Sequence, residues 1–348
     1  MDHTGTYPKL LPLPPQPPDV EWPESQWPLG GVEPCFDPDR VELLTTGAIE
    51  DQPPELGIGL ATLIVHRGRL VAEAYGSDTN ADTTLISWSM AKSMLQVVIG
   101  MLVCDGLLDP DTPAPVGEWT DVRSEITIRQ LLQMRPGLIW NEDYIDGQVS
   151  NVIEMLFGDG KDDMGSYAAA LLLEDKPGAV WKYSSGVSNI LSRIVRDTLG
   201  GGSAYEAYLQ DRLFGPLHMS TATARFDEVG TFVGSSFVYA SARDFARFGL
   251  FALRDGVWNG ERLLPEGWID CARTMHARDE DLEGYGEHWW LLDDRYGSFF
   301  CSGYEGQRIV CVPALDLVVV RLGKTPADLG LAWRDQLADI IACFDPSI

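Results

Sequence analysis

The spacing of apolar and polar residues divides the chain into a proline-broken start, strand-like runs near both ends and a helix-rich middle. Nine of the 22 prolines fall between Pro8 and Pro34, around Trp22 and Trp27, which excludes a helix or a central strand there. An extended arm laid over the body through its tryptophans is expected; a proline-rich ligand for a partner is the alternative. Residues 39–44 read as a first helix. Residues 58–65 and 70–75 are apolar, β-branched runs joined by His66-Arg67-Gly68-Arg69, a hairpin signal. Residues 89–103 are apolar on nearly every face and stop at Asp105-Gly106, the pattern of a helix buried at a protein's centre.

Short helical patterns then recur at 128–134, 166–173, 187–198 and 204–213, separated by loops. Ser241-Ala242-Arg243-Asp244 caps a helix carrying Phe245, Phe248, Leu250 and Phe251. Runs at 298–302, 308–312 and 317–322 read as strands, and a closing helix is expected over 327–343. Strands at both ends predict an α/β (α+β) fold: one antiparallel sheet built from both chain ends, flanked by helices, with an inserted, mostly helical lobe. The expected divisions are an arm over 1–36, a sheet domain over 37–112 and 236–348, and the helical lobe over 113–235. A chain of 348 residues fits about two domains.

Composition narrows the function classes. With 45% apolar and 22% charged residues the chain is globular. Its longest apolar run, 97–104, is far short of the roughly 20 residues a membrane span needs. The net charge of −26 disfavours nucleic acid and anionic membrane surfaces as partners. The partner expected is a small-molecule substrate, and a homo-oligomer is compatible with the sequence. Six scattered cysteines without C-x-x-C predict buried, reduced thiols, neither zinc nor disulfide framework. Met1-Asp2-His3-Thr4 lacks the basic and apolar regions of a secretory signal, so a cytoplasmic location is expected.

The sharpest chemistry lies in Ser89-Met90-Ala91-Lys92. Serine and lysine three apart on a helix share one face. At a helix start, unpaired N–H groups and the dipole favour developing negative charge. A lysine among apolar residues must lose proton affinity or find an acceptor. A serine hydroxyl needs such a neighbouring base to become a nucleophile. The same four residues also fit a serine cap followed by a lysine that reaches water. A second segment, Tyr183-Ser184-Ser185-Gly186, sets a tyrosine between the Pro177-Gly178 turn and a helical pattern. A phenol near an ammonium ionises more readily, so Tyr183 is a candidate base and acid; an ordinary loop tyrosine is the plainer reading. The third segment, Cys301-Ser302-Gly303-Tyr304-Glu305-Gly306-Gln307, carries glycines that let a ligand or backbone come close, or simply make a tight turn.

In this order and at these separations the three segments resemble the serine β-lactamase and penicillin-recognising superfamily, with its S-x-x-K, Y-x-N and K-T-G motifs. The resemblance runs from about residue 40 to near the end. It is supported by residues 126–138, by 241–249 and by Trp258-Asn259-Gly260-Glu261-Arg262-Leu263-Leu264-Pro265. Ser185 stands where class C β-lactamases carry Asn, and Cys301-Ser302-Gly303 stands where they carry K-T-G. Lys324-Thr325-Pro326, beyond the last strand, is read as a decoy. Loss of the K-T-G lysine argues against tight penicillin recognition; efficient nitrocefin turnover would point to another group in its place, with Arg308 the candidate. Tyr-x-Ser, the Gly-x-x-Gly-Gln run and Trp289-Trp290 look more like the carboxylesterase and 6-aminohexanoate-dimer hydrolase branch. Tyr144, in Trp140-Asn141-Glu142-Asp143-Tyr144, matches that branch's substrate-facing tyrosine.

The resemblance implies a serine hydrolase that cleaves small esters or linear amides through an acyl-enzyme, without metal or organic cofactor. Ser89 is the implied nucleophile, with Lys92 and Tyr183 as the acid/base group, either of them the base. The N–H groups of Ser89 and Tyr304 form the implied oxyanion hole. Tyr144, Ser185 and Gly303 are implied to touch substrate or orient the site. Two alternatives stand beside this: β-lactamase or D-amino-acid peptidase activity, and an inactive ligand-binding member of the same fold. The absence of G-x-S-x-G and H-E-x-x-H argues against a Ser-His-Asp or zinc hydrolase. The five histidines are assigned to packing or surface.

Overall fold

The computed structural model describes residues 10–33, 36–49, 57–144, 150–279, 283–326 and 333–347. Helix α1 (Pro38–Gly47), capped by Asp37, precedes β1 (Ile58–His66) and β2 (Arg69–Tyr75). Arg67 and Gly68 both take positive φ, 51° and 75°. That is the turn whose twist suits a two-residue hairpin, so the predicted hairpin stands where expected. A short β3 (Leu85–Ile86) leads to α2 (Met90–Cys104), whose residues 90–102 are all buried. Five helices follow: α3 (Ile128–Leu132), α4 (Asn151–Phe157), α5 (Met164–Ala169), α6 (Ser185–Leu199), as long as α2, and α7 (Gly202–Tyr208).

Next come β4 (Thr223–Ala224), β5 (Val238–Ala240) and α8 (Ala242–Leu253), the helix predicted from its Ser241 cap. A small hairpin of β6 (Val257–Trp258) and β7 (Glu261–Arg262) precedes α9 (Trp268–Ala272). The chain then forms β8 (Ala277–Arg278), β9 (Gly284–Tyr285), β10 (Trp290–Leu291), β11 (Phe299–Gly303), β12 (Gln307–Val312) and β13 (Leu317–Lys324). The closing helix is α10 (Trp333–Ala342); the first residues of its expected range, 327–332, lie outside the described residues.

The sheet runs β2-β1-β13-β12-β11-β10-β9-β8, all antiparallel, so strands from the two ends of the chain meet where β1 pairs with β13. This is the α/β architecture expected from the sequence. Both faces are covered. Leu63, Val65, Ile309, Cys311, Val318 and Val320 enter the larger core with α2 and α8. Their neighbours Ile64, Val310, Val312 and Val319 enter a second core under α1 and α10. Strands buried on both sides read as continuous apolar runs, which is why these were visible in the sequence.

Residues 10–33 of the arm lie against the body. Trp27 is buried in the larger core, and Arg247 donates to the carbonyls of Pro23 and Glu24 at 2.9 Å each. The thiols need a correction. Cys301, Cys311 and Cys343 are buried and free, but Cys104 and Cys271 are exposed. Cys104 sits where α2 leaves the core, and Cys271 lies on the outer face of the short α9; Cys35 lies outside the described residues. No helix among the described residues is long and apolar enough to cross a membrane.

Candidate active site

Helix α2 starts immediately after Ser89, and its depth in the core comes from close packing. A Cβ at Gly100 would meet the Trp268 indole at 2.4 Å, so only glycine lets that tryptophan lie on the helix. Ser89 occupies the cap position but makes no side-chain capping bond. Its Oγ instead accepts from Lys92 Nζ at 3.0 Å. Lys92 does not reach water; it is 2% exposed. Its other two donors go to Ser185 Oγ and to the Ser235 carbonyl, both at 2.9 Å. Burial pulls the Lys92 amine down to about 8, with the charge of Glu142 holding it up. A base of that strength is partly neutral near physiological pH.

Tyr183 comes from the loop ahead of α6, and Lys92 Nζ lies 4.8 Å from the centre of its ring. Loss of solvent and then the charge of Glu142 push the phenol above its ordinary value, while Ser89 and Arg308 pull it back. The expectation of a more readily ionised phenol is therefore reversed. The ammonium that was to favour ionisation is itself weakened, and a carboxylate stands in the same pocket. The S-x-x-K and tyrosine segments are nevertheless brought together as the sequence suggested, with Ser89 between Lys92 and Tyr183.

Gly303, at the end of β11, faces the segment that carries the nucleophile candidate. A Cβ there would lie 2.3 Å from the Ser87 carbonyl oxygen. The close approach is by backbone, as glycine permits. Beyond it, Glu305 takes a positive φ of 58° and accepts from Trp88 Nε1 at 3.3 Å, tying the wall to the residue before Ser89. The Tyr304 ring stacks on that of Tyr144, centroids 5.5 Å apart. Between these elements lies a cleft of about 260 Å³ lined by Ser89, Tyr144, Tyr183, Trp290, Gly303 and Tyr304 among others. Ser185, by contrast, is fully buried and turns to Lys92 and Glu142.

One lining residue, Glu142, escaped the sequence reading. Glu142 accepts from Ser185 Oγ at 2.5 Å, Ser185 N at 2.8 Å and Trp140 Nε1 at 2.5 Å. It is placed there by Gly186, where a Cβ would strike the Trp140 ring at 2.4 Å. Its signal lies in the Trp140-Asn141-Glu142-Asp143-Tyr144 segment, two residues before the tyrosine that the resemblance singles out. Arg308 also lines the cleft, donating to the Gly303 and Gln307 carbonyls at 2.8 and 2.7 Å and lying over Trp333. Thr325 and Pro326, set aside with Lys324 as a decoy, reach the cleft rim because Thr325 N bonds to the Glu305 carbonyl at 3.0 Å. Lys324 itself is exposed at the end of β13 and is not among the lining residues. Among the described residues, no group of three His, Cys, Asp or Glu is placed to hold a metal ion.

Comparison with known proteins identifies the family and the fold. Residues 50–339 match the family model described as Beta-lactamase. The chain is 28% identical over 304 residues to the 6-aminohexanoate-dimer hydrolase of Paenarthrobacter ureafaciens, covering 81% of this chain and 76% of that protein. Its fold is similar to that of a Bacillus anthracis protein provisionally described as a 6-aminohexanoate-dimer hydrolase: TM-score 0.71, 21% identity, 81% of this chain and 78% of that one. It is also similar to a family VIII carboxylesterase: TM-score 0.67, 14% identity, 90% of this chain and 99% of that one. Matched from before its first strand into its last helix, the chain belongs to the β-lactamase family.

Proposed function

We propose that this protein is a serine hydrolase that cleaves small esters or linear amides through an acyl-enzyme. The observation that carries the reading is the 3.0 Å contact between Lys92 Nζ and Ser89 Oγ, at the start of a helix buried over residues 90–102. Ser89 Oγ attacks the substrate carbonyl as its proton passes to neutral Lys92. The N–H groups of Ser89 and Tyr304 take the developing oxyanion, an arrangement in which one donor is worth roughly 3–4 kcal/mol. Tyr183, which keeps its proton, is suited to pass it to the departing alcohol or amine and to recover it from Lys92. Attack by water on the acyl-Ser89 ester then releases the acid. Lys92 is the better base of the two, because its affinity lies near neutrality and that of Tyr183 does not.

The aromatic walls of Tyr144, Tyr304 and Trp290 suit an apolar acyl or amine chain. The likeness to a 6-aminohexanoate-dimer hydrolase supports linear amides among the substrates. A β-lactam or D-amino-acid peptide is the second reading, favoured by Arg308 in the wall, where a cation can meet a carboxylate. One panel separates them: p-nitrophenyl esters, 6-aminohexanoate dimer, D-amino-acid amides and nitrocefin, with fluorophosphonate labelling followed by intact mass. Ester or dimer turnover well above nitrocefin turnover, with one adduct on Ser89, is the expected result. Dominant nitrocefin turnover moves the assignment to the second reading. The absence of any adduct and any turnover overturns both in favour of a binding protein.

A further inference from the structure

Lys92 makes three hydrogen bonds, and the partners are not equivalent. The Ser235 carbonyl accepts only. Ser185 has one hydroxyl proton, and the Glu142 carboxylate, which cannot donate when ionised, stands 2.5 Å from that hydroxyl. The proton is therefore committed to Glu142, leaving Ser185 Oγ an acceptor towards Lys92 at 2.9 Å. Neutral Lys92 has two N–H groups and one electron pair. Two of its three neighbours accept only, so both N–H groups are taken by them. The electron pair is left facing the third neighbour, Ser89 Oγ, at 3.0 Å.

We propose that Glu142 is a positioning residue: by holding the only proton of the Ser185 hydroxyl, it aims the electron pair of Lys92 at Ser89 Oγ. This deepens the hydrolase reading and rests on Lys92 acting as the base. Glu142 is itself fixed, since Ser185 N and Trp140 Nε1 both donate to its second oxygen. Its charge adds a second effect, favouring the ammonium form of Lys92. The other titratable groups around Lys92 and Glu142 are Tyr183, from the loop before α6; Tyr144, beside Glu142 and Ser185, whose phenol is held above its ordinary value by burial and then by the Glu142 charge; and His288, ahead of β10, which burial keeps neutral. Arg308 on β12 acts on Tyr183. Removing the Glu142 charge therefore moves Lys92 towards still weaker basicity.

The test is a pH profile of p-nitrophenyl butyrate hydrolysis for wild type, Glu142→Gln, Glu142→Asp and Ser185→Ala, with thermal melts of each. A glutamine amide can donate to Ser185 and release its proton towards Lys92, so the electron pair is no longer directed. Glu142→Gln is expected to lower plateau kcat by about tenfold or more, with KM within about twofold, because aim affects the chemical step and not binding. Its acidic limb is expected to move down by up to about one pH unit. Ser185→Ala, which keeps the charge, is expected to lower the plateau with a smaller movement of the limb. Glu142→Asp is expected to keep the limb near its wild-type position. Wild-type plateau and limb in folded Glu142→Gln overturn the proposal, as does a fall in kcat with the limb unmoved. Should Glu142→Gln fail to fold, an unaltered plateau in Ser185→Ala overturns it equally. Activity persisting in Ser89→Ala instead overturns the hydrolase reading, whatever Glu142 does.

Discussion

The Ser87 carbonyl and Gly303 are keyed together: no side chain fits on residue 303, because its Cβ would stand 2.3 Å from that oxygen. Ser87 lies two residues before Ser89, and Gly303 directly precedes Tyr304. The two proposed oxyanion donors are therefore spaced by this one backbone contact. A clash with backbone cannot be relieved by turning a side chain, so Gly303→Ala must move the strand end or the nucleophile segment. Misplacement of this kind is expected to lower kcat on p-nitrophenyl butyrate by about tenfold or more, with a cooperative melt retained. Wild-type kcat together with a wild-type Tm would show that the contact does not set the spacing.

Ser89 and Tyr183 lend themselves to a direct comparison, since both line the cleft while neither contributes a large share of the core. Ser89→Ala removes the nucleophile and Tyr183→Phe removes only a hydroxyl. Each is expected to reduce kcat on p-nitrophenyl acetate by roughly a hundredfold or more, as loss of a nucleophile or general acid does. Circular dichroism should remain that of wild type. Turnover at the wild-type rate in both variants is incompatible with the proposed roles.

The pH dependence follows from Lys92. Its ammonium has no electron pair to accept the Ser89 proton, so only the neutral amine is active. With the amine at about 8, kcat/KM should rise about tenfold per unit below that pH and level off above it. The Tyr183 phenol is raised above its ordinary value, so its ionisation should impose no falling limb before pH 10. A profile that is flat from pH 6 to 9 would exclude Lys92 as the base.

Sequence pattern revealed the parts of the molecule where one physical requirement dominates. The central helix was legible because residues 90–102 are buried on every side, which leaves no polar face to confuse it. The strands β12 and β13 were legible because both their faces are covered. The two-residue strands β3, β4, β6, β7, β8, β9 and β10 were not, since so short a run has no periodicity to display. Helix α4, Asn151–Phe157, was not legible either. Within the site, Ser89, Lys92 and Tyr183 stood out by chemistry. Glu142 did not, because its place depends on a tryptophan lying on Gly186, a contact between segments distant in the sequence. Arg308, a candidate for the place of the missing K-T-G lysine, reaches the cleft by its position at the start of β12.

His288 offers a test of the core beside the site. Its Nδ1 faces the Leu132 carbonyl at 2.8 Å and must carry a proton to donate there. Its Nε2 then accepts from Ser188 Oγ at 3.0 Å, so the ring is held in one neutral form. Burial, aided by the nearby charge of Lys92, pushes it from 6.5 down to about 3, against the opposing Leu132 bond. The native state thus refuses a proton that the unfolded chain accepts below about pH 6.5. A group depressed in this way supports the fold fully above that pH and progressively less as pH falls towards 3. His288→Gln has no such proton to refuse. Denaturant unfolding at pH 7 and pH 5 should therefore show the wild-type advantage over His288→Gln shrinking by about 2 kcal/mol at the lower pH. An advantage equal at both values would mean that the ring takes up its proton within the fold, and that the Leu132 and Ser188 contacts do not keep it neutral.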